Sequence, residues 1–165
     1  MLGGSNVQKI YRDFISKEES DILLNTDEPR FSNIAGVNHN HTLEPSDPLF
    51  TSPNFTKIVG DIISKLREDF TFEVTENSYY SLEEKPGGHP THQDCHYQGR
   101  MFSIGTSLIL KDGSYGGDTY YCDDRNGTNA RKIDRGIYDL VAHTWEQWHW
   151  ISPSSGGRKA FLLFI

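Results

Sequence analysis

From about residue 73 to its last residue, the chain is a series of short segments rich in β-branched and aromatic residues, cut apart by Gly, Pro and Asp. Segments this short do not make helices, and their side chains pack well on a pleated surface, so they read as strands joined by turns. The candidate strands are 73–82, 101–110, 117–122, 131–134, 137–142, 148–151 and 158–164. Helical signals come before them. Ser16 and Glu19 have the spacing of a capping box, in which the hydroxyl satisfies an orphan N–H of the first turn and the carboxylate reaches back to the serine amide. A short strand over 7–14 is expected ahead of that box and a helix over about 17–25 after it. Ser52 as cap and Pro53 in the first turn open a second helix, along which Ile58, Val59, Ile62, Ile63 and Leu66 recur at helical spacing. Two helices followed by many short strands predict an α+β chain that is mainly β: a sandwich or jelly roll with N-terminal helices packed on one sheet. The stretch 26–51 has little periodicity and is expected to be loop with one irregular strand at most, a length often used for lids or binding loops.

At 165 residues the chain has the size of a single domain, 1–165, able to bury a core without disulfide or metal staples. Its formal net charge of −7 offers no basic footprint for a phosphate backbone, so no nucleic-acid partner is expected. No apolar run approaches the roughly 20 residues that span a bilayer. The start, Met1-Leu2-Gly3-Gly4-Ser5, lacks the charged and apolar regions of a signal peptide. A soluble, cytoplasmic protein with no membrane partner is the expectation. Cys95 and Cys122 are too few for a disulfide framework and read as reduced thiols, and the sequons at Asn54 and Asn126 read as chance matches.

Chemistry enters with His92-Gln93-Asp94. On extended backbone, residues two apart face the same side, which brings an imidazole and a carboxylate together. His149 begins another candidate strand between Trp148 and Trp150; with the tryptophans turned outward, His149 and Ile151 face the interior. The plain alternative is that His92 and Asp94 are surface turn residues after Pro86-Gly87-Gly88 and that His149 is a hydrogen-bonded core histidine. The metal reading gains from the segment that His149 opens: a strand, a Pro/Ser/Gly turn and a second strand carrying Arg158, which can point into the same interior. A guanidinium buried there needs an anion, and its planar fork suits a carboxylate. Two imidazoles and one carboxylate on one face of a metal leave the opposite positions open, which suits non-haem Fe(II) binding a co-substrate and O₂. Of the other histidines, His143 is the main rival for the third ligand position, while His89 and His96 also lie near. His39-Asn40-His41 has no partnering carboxylate or arginine pattern and is read as not metal-binding. Trp145, Trp148 and Trp150 are assigned to packing around His149.

These residues together resemble the 2-oxoglutarate- and Fe(II)-dependent dioxygenases, in particular their prolyl 4-hydroxylase-like branch. The resemblance runs from about Val7 to Ile165. It comprises the opening strand and helix in Ile10-Tyr11-Arg12-Asp13-Phe14-Ile15-Ser16-Lys17-Glu18-Glu19, the Pro-Gly-Gly turn before His92-x-Asp94, and Gly116-Gly117-Asp118-Thr119 after a strand. Gly136 before a hydrophobic strand, then His149 with Pro153, Gly157 and Arg158, completes it.

The resemblance implies a double-stranded β-helix, with His92, Asp94 and His149 as Fe(II) ligands and Arg158 as partner of the distal carboxylate of 2-oxoglutarate, O₂ taking the remaining site. It also implies a co-substrate contact from a tyrosine on the strand before the Pro-Gly-Gly turn, Tyr80 ahead of Tyr79, and places Thr106 in the same pocket. Tyr97 and Arg100, in the loop 95–100 that comes after the metal pair, are the substrate-contact candidates. The implied reaction is hydroxylation, most naturally of prolyl residues in a peptide or protein, with a free amino acid or other small molecule as the alternative.

The sequence also departs from the family. Leu108-Ile109-Leu110 stands where relatives often carry Tyr-Leu-Asn, so one polar contact to the co-substrate is absent or replaced. Asp118-Thr119 replaces the commoner acidic-then-leucine pair, and the presence of Asp94 disfavours the halogenase variant. Two other classes compete: a metal-dependent hydrolase or isomerase holding Zn²⁺ on a similar barrel, and a non-catalytic jelly-roll binding module. Intact His92, Asp94, His149 and Arg158 count against the module.

Overall fold

The chain alternates between two antiparallel sheets, and that alternation encloses a cavity between them. The structure, a computed structural model, describes residues 7–27, 39–42, 48–75, 78–84, 87–97, 99–113, 115–155 and 158–165. Strand β1 (Gln8–Tyr11) leads to helix α1 (Lys17–Asp27), then come β2 (His39–Thr42), a 3-10 turn at Pro48–Thr51 and helix α2 (Pro53–Leu66). The β-rich part continues as β3 (Tyr79–Glu84), β4 (His89–His92), β5 (His96–Tyr97), β6 (Arg100–Met101), β7 (Ile104–Lys111), β8 (Thr119–Cys122), β9 (Arg131–Lys132), β10 (Leu140–Thr144), β11 (Trp148–Ile151) and β12 (Lys159–Phe164). The larger sheet has the order β1-β10-β7-β12-β3-β2 and the smaller β4-β11-β8-β9, with β5 and β6 as a separate hairpin. From β3 the chain passes to β4, back to β7, across to β8, back to β10, across to β11 and back to β12. That is a double-stranded β-helix, or jelly roll, with helices on the outer side of the larger sheet.

The helix signals in the sequence have direct structural counterparts. Ser16 Oγ accepts the Glu19 N–H at 3.0 Å and a Glu19 carboxylate oxygen accepts the Ser16 N–H at 3.2 Å, the reciprocal capping box. Ser52 stands at the N-cap of α2 with extended backbone, but its hydroxyl makes no capping hydrogen bond, contrary to expectation; the Ser52 carbonyl accepts the Thr56 N–H instead. Pro53 at the first helical position has no N–H, so the first turn has one orphan donor fewer to satisfy. Helix α2 buries Phe55, Ile58, Ile62 and Leu66 along one stripe. Together with Leu23 of α1 they pack on Ile104, Leu108 and Leu110 of β7, Leu140 and Ala142 of β10, and Phe161 and Leu163 of β12. Each such side chain, fully removed from water, contributes about 1.5–3 kcal/mol, so this layer fixes the larger sheet as a rigid floor.

Strand boundaries move for identifiable reasons. The strand expected at 73–82 begins only at Tyr79, because its partner β12 ends at Phe164, directly opposite. The strand expected at 137–142 becomes Leu140–Thr144, since Tyr138 has φ +70°, outside extended geometry. The stretch 95–100, expected as a loop, is largely the β5-β6 hairpin. Within 26–51, the last two residues of α1, β2 and the 3-10 turn are the described elements, and the remainder of that stretch lies mostly outside the described residues, as do Pro86 and Gly157. No described helix is long and apolar enough to cross a membrane.

Candidate metal centre and carboxylate pocket

His92 ends β4 and His149 lies in β11, and the two are direct cross-strand partners in the smaller sheet. Their rings lie 4.2 Å apart, centroid to centroid. Asp94, two residues past His92, reaches both: Oδ1 is 3.4 Å from His92 Nε2 and Oδ2 is 3.4 Å from His149 Nε2. One ligand atom from each of the three residues lies within 4.8 Å of the other two.

The imidazoles are oriented for this task. His92 Nδ1 is 2.7 Å from the Pro90 carbonyl and His149 Nδ1 is 3.0 Å from the Gln147 carbonyl. A carbonyl only accepts, so each Nδ1 carries the proton and each Nε2 presents its lone pair; the tautomers are assigned from these acceptors. Backbone carbonyls behind ligating histidines both fix the ring and raise its basicity. Burial pushes the Asp94 carboxyl up, but the surrounding imidazoles, His149 foremost, outweigh it and hold the group well below the usual carboxylate range. Asp94 is therefore an anion. Two neutral nitrogens and one carboxylate on one side, with the cavity on the other, fit a divalent cation of the Fe(II) type.

Two further residues make room for and brace the carboxylate. Gly105 on β7 lies against Asp94, and a Cβ there would overlap Asp94 Oδ2, so the glycine gives the carboxylate its space. His143 on β10, buried, brings Nε2 to 2.8 Å from Asp94 Oδ2, while its Nδ1 is 3.1 Å from the Tyr121 hydroxyl. Burial holds the His143 imidazole below its usual range. It is thus neutral, donates from Nε2 to Asp94 and accepts at Nδ1 from Tyr121. The sequence rival for the third ligand position is placed behind the carboxylate, as its hydrogen-bond donor.

The three residues form one wall of a cavity of about 340 Å³ lying between the sheets. Val141, Leu162, Ile151 and Phe164 line it with apolar surface, and Arg158, 6% exposed, gives it a cationic end. Gly117, at φ +70°, lets the arginine through: a Cβ there would overlap Arg158 Cδ. The Gly-Gly pair after the turn therefore serves the arginine as well as the backbone bend.

The structure moves one of the two expected pocket residues. Tyr80 packs edge-on against Phe50 at 5.1 Å in the helix-side core. Thr106 borders the cavity, but its hydroxyl donates to the Leu163 carbonyl at 2.9 Å, and its cross-strand partners Ala142 and Leu163 belong to the helix-side core. Tyr80 is thus found in the core instead of the expected pocket, while Thr106 stays at the edge of the cavity. Ser107 lines the cavity from β7. Tyr97 and Arg100 are register partners in the β5-β6 hairpin, from which His96 reaches the cavity lining. Trp150 stacks on Tyr120, centroids 4.0 Å apart, whereas Trp145 is 39% exposed.

No family model matches the sequence, and no curated protein matches it. Solved structures do. A prolyl-4-hydroxylase from Pseudomonas putida matches with a TM-score of 0.71 at 12% identity, over 97% of this chain and 92% of its own. A prolyl hydroxylase from Trichoplax adhaerens, in complex with a peptide fragment of the hypoxia inducible factor oxygen degradation domain, gives 0.67 at 15% identity, over 97% and 83%. EvdO2 from Micromonospora carbonacea var. aurantiaca, complexed with 2-oxoglutarate, gives 0.65 at 19% identity, over 97% and 86%. Likeness at these identities concerns the fold, and it is the same double-stranded β-helix.

Proposed function

We propose that this chain is a hydroxylase that uses Fe(II), 2-oxoglutarate and O₂, and that its substrate is a prolyl residue of a peptide or protein. The observation that carries the reading is the convergence of His92, Asp94 and His149 on one wall of a closed-in cavity whose cationic end is the buried Arg158. A purely structural cation site does not need an open side, and a binding module does not need tautomer-fixed imidazoles beside a braced aspartate. The solved neighbours with 2-oxoglutarate or a peptide bound support the same reading.

When bound, Fe(II) supplies the activation of O₂ that couples oxidative decarboxylation of 2-oxoglutarate, to succinate and CO₂, with insertion of one oxygen atom into a substrate C–H bond. The chain's residues do the positioning. Asp94 offsets part of the cation's charge, and the Pro90 and Gln147 carbonyls keep both Nε2 lone pairs aimed inward. Arg158 holds the distal carboxylate, which fixes the direction of the keto-acid end. Val141, Leu162 and Phe164 keep water from the space between. No side chain is required as a general base.

The cavity has the volume of a small-molecule pocket, enough for a five-carbon diacid and one substrate side chain but not for a peptide, which must lie across the mouth. Tyr97 and Arg100, on the hairpin that contributes His96, are the proposed contacts there. The test is succinate release with prolyl peptides and free amino acids, in wild type and in His92→Ala and Asp94→Ala. Turnover that needs O₂ and disappears in both variants is expected. Iron-dependent turnover persisting in both, or metal-dependent hydrolysis without O₂, contradicts the proposal.

A further inference from the structure

The rim of the cavity at its metal end carries apolar surface that the fold leaves in water. Among the described residues the exposed large apolar side chains are Val74, Met101, Tyr115 and Trp145, and two of these stand at this rim. Met101 is the cross-strand partner of His96 and precedes Phe102, and both of those residues line the cavity. Trp145 comes two residues after His143, just past the end of β10, and its N–H pairs with the carbonyl of Ser103, the residue after Phe102, at 2.9 Å. The carbonyl of Glu146 accepts from Gln93 Nε2 at 2.7 Å, and Gln93 lines the cavity between the ligands His92 and Asp94. Met101 and Trp145 are thus each tied, through their neighbours, to one stretch of rim.

The local packing holds them there. Phe102 is buried, its N–H donates to the Cys95 carbonyl at 3.0 Å, and its ring lies 5.4 Å from that of Phe164. Phe102 therefore fixes the base of the hairpin, while Met101 beside it stays 72% exposed. A single exposed apolar side chain is ordinary, but two at the mouth of one cavity mark a contact surface. The size of the cavity says what covers it. A free amino acid lies inside and leaves both side chains wet, whereas a peptide has to cross the rim and press on them. Gln93 adds a polar element: the bond to Glu146 fixes its amide, and its Oε1 meets no donor among the described residues, so it can accept a peptide N–H.

We propose that Met101 and Trp145 form an apolar lip that seats the side chain of a bulky apolar residue flanking the hydroxylated prolyl residue, so that the substrate is an apolar segment of a peptide or protein. This rests on the prolyl-peptide reading of the cavity and adds to it the class of flanking residue that is selected. Both are specificity-determining residues: the unbranched thioether of Met101 adapts to different shapes, and the Trp145 indole offers a large, rigid face.

The test measures binding to the anaerobic complex with Fe(II) and 2-oxoglutarate by calorimetry, with Ac-Ala-Leu-Pro-Leu-Ala-NH2, Ac-Ala-Ser-Pro-Ser-Ala-NH2 and free proline as probes. Wild type is expected to bind the leucine peptide about tenfold more tightly than the serine peptide, the worth of partly burying one leucine side chain, and free proline more weakly than either. Met101→Ser and Trp145→Ser are each expected to lower that ratio and the double variant to abolish it, with the visible chelate band of 2-oxoglutarate retained in the same samples. Equal affinity for the two peptides in wild type, a ratio that survives in the double variant, or a normal chelate that binds neither peptide overturns the inference. A wild-type dimer that the double variant converts to monomer, with the peptide ratio unchanged, gives the lip to a second copy and overturns it too. Fe(II) bound with no 2-oxoglutarate chelate contradicts instead the reading of the cavity on which the lip rests.

Discussion

His143 Nε2 lies 2.8 Å from Asp94 Oδ2, nearer to that carboxylate than either histidine of the metal-binding group, both of which are at 3.4 Å. A ligating carboxylate with a second donor on it keeps its rotamer when no cation is present, so the site is formed before the metal arrives. His143→Ala is expected to weaken metal affinity by about 10–100-fold, the usual effect of losing such a partner, while His143→Gln, which keeps an N–H donor, retains most of it. Anaerobic Fe(II) or Co(II) titration reads this directly. Equal affinity in wild type and His143→Ala would show that Asp94 needs no brace.

Gly105→Ala puts a methyl group where Asp94 Oδ2 now lies. The glycine sits in a regular strand, without positive φ, so alanine fits the backbone and only the carboxylate must move. Loss of metal binding with circular dichroism unchanged is the expected result; retained metal affinity would mean that Asp94 has a second workable position.

Gly117→Ala affects the other end of the cavity. The added methyl overlaps Arg158 Cδ, and the backbone there is at φ +70°, which alanine adopts only with strain. Weaker 2-oxoglutarate binding with unchanged metal affinity is expected in titrations of the two ligands. A loss of metal affinity of the same size would place the glycine's role in the fold rather than at the arginine.

Asp139 gives the fold an acid-sensitive joint. Burial pushes its carboxyl up, but the N–H groups of Gly136 and Asp13 and the Arg12 guanidinium outweigh that and hold it below the usual range. With the folded value below an unfolded value of about 3.9, its stabilisation is complete above about pH 4 and is lost as pH falls through the folded value. Asp139→Asn is therefore expected to melt below wild type at pH 6, with the gap closing in acid. A gap in Tm that does not change with pH would assign the loss to packing.

How much of this was legible in the sequence depended on whether an element faces water on one side. The helices were legible because Ser16, Glu19 and Pro53 mark their starts and because α2 has one apolar stripe. The metal pair was legible because His92 and Asp94 are close in sequence and share a face of extended chain. The face that Thr106 presents could not be counted from the sequence because β7 is buried along most of its length, so its composition shows no alternation. Ser107 carries no signal at all in such a run. The roles of Gly105 and Gly117 depend on side chains 11 and 41 residues away (105 − 94 and 158 − 117), contacts that only the closed fold creates.

Anaerobic titration of the apo protein with Fe(II) and then 2-oxoglutarate, followed by admission of O₂, tests the central claim most directly. A weak visible charge-transfer band that forms with both components, is absent in His92→Ala and Arg158→Ala, and fades on O₂ as succinate forms, is the predicted result. Bound iron with no band at any 2-oxoglutarate concentration would contradict the assignment of the cavity to a 2-oxo diacid and favour a hydrolytic metal site.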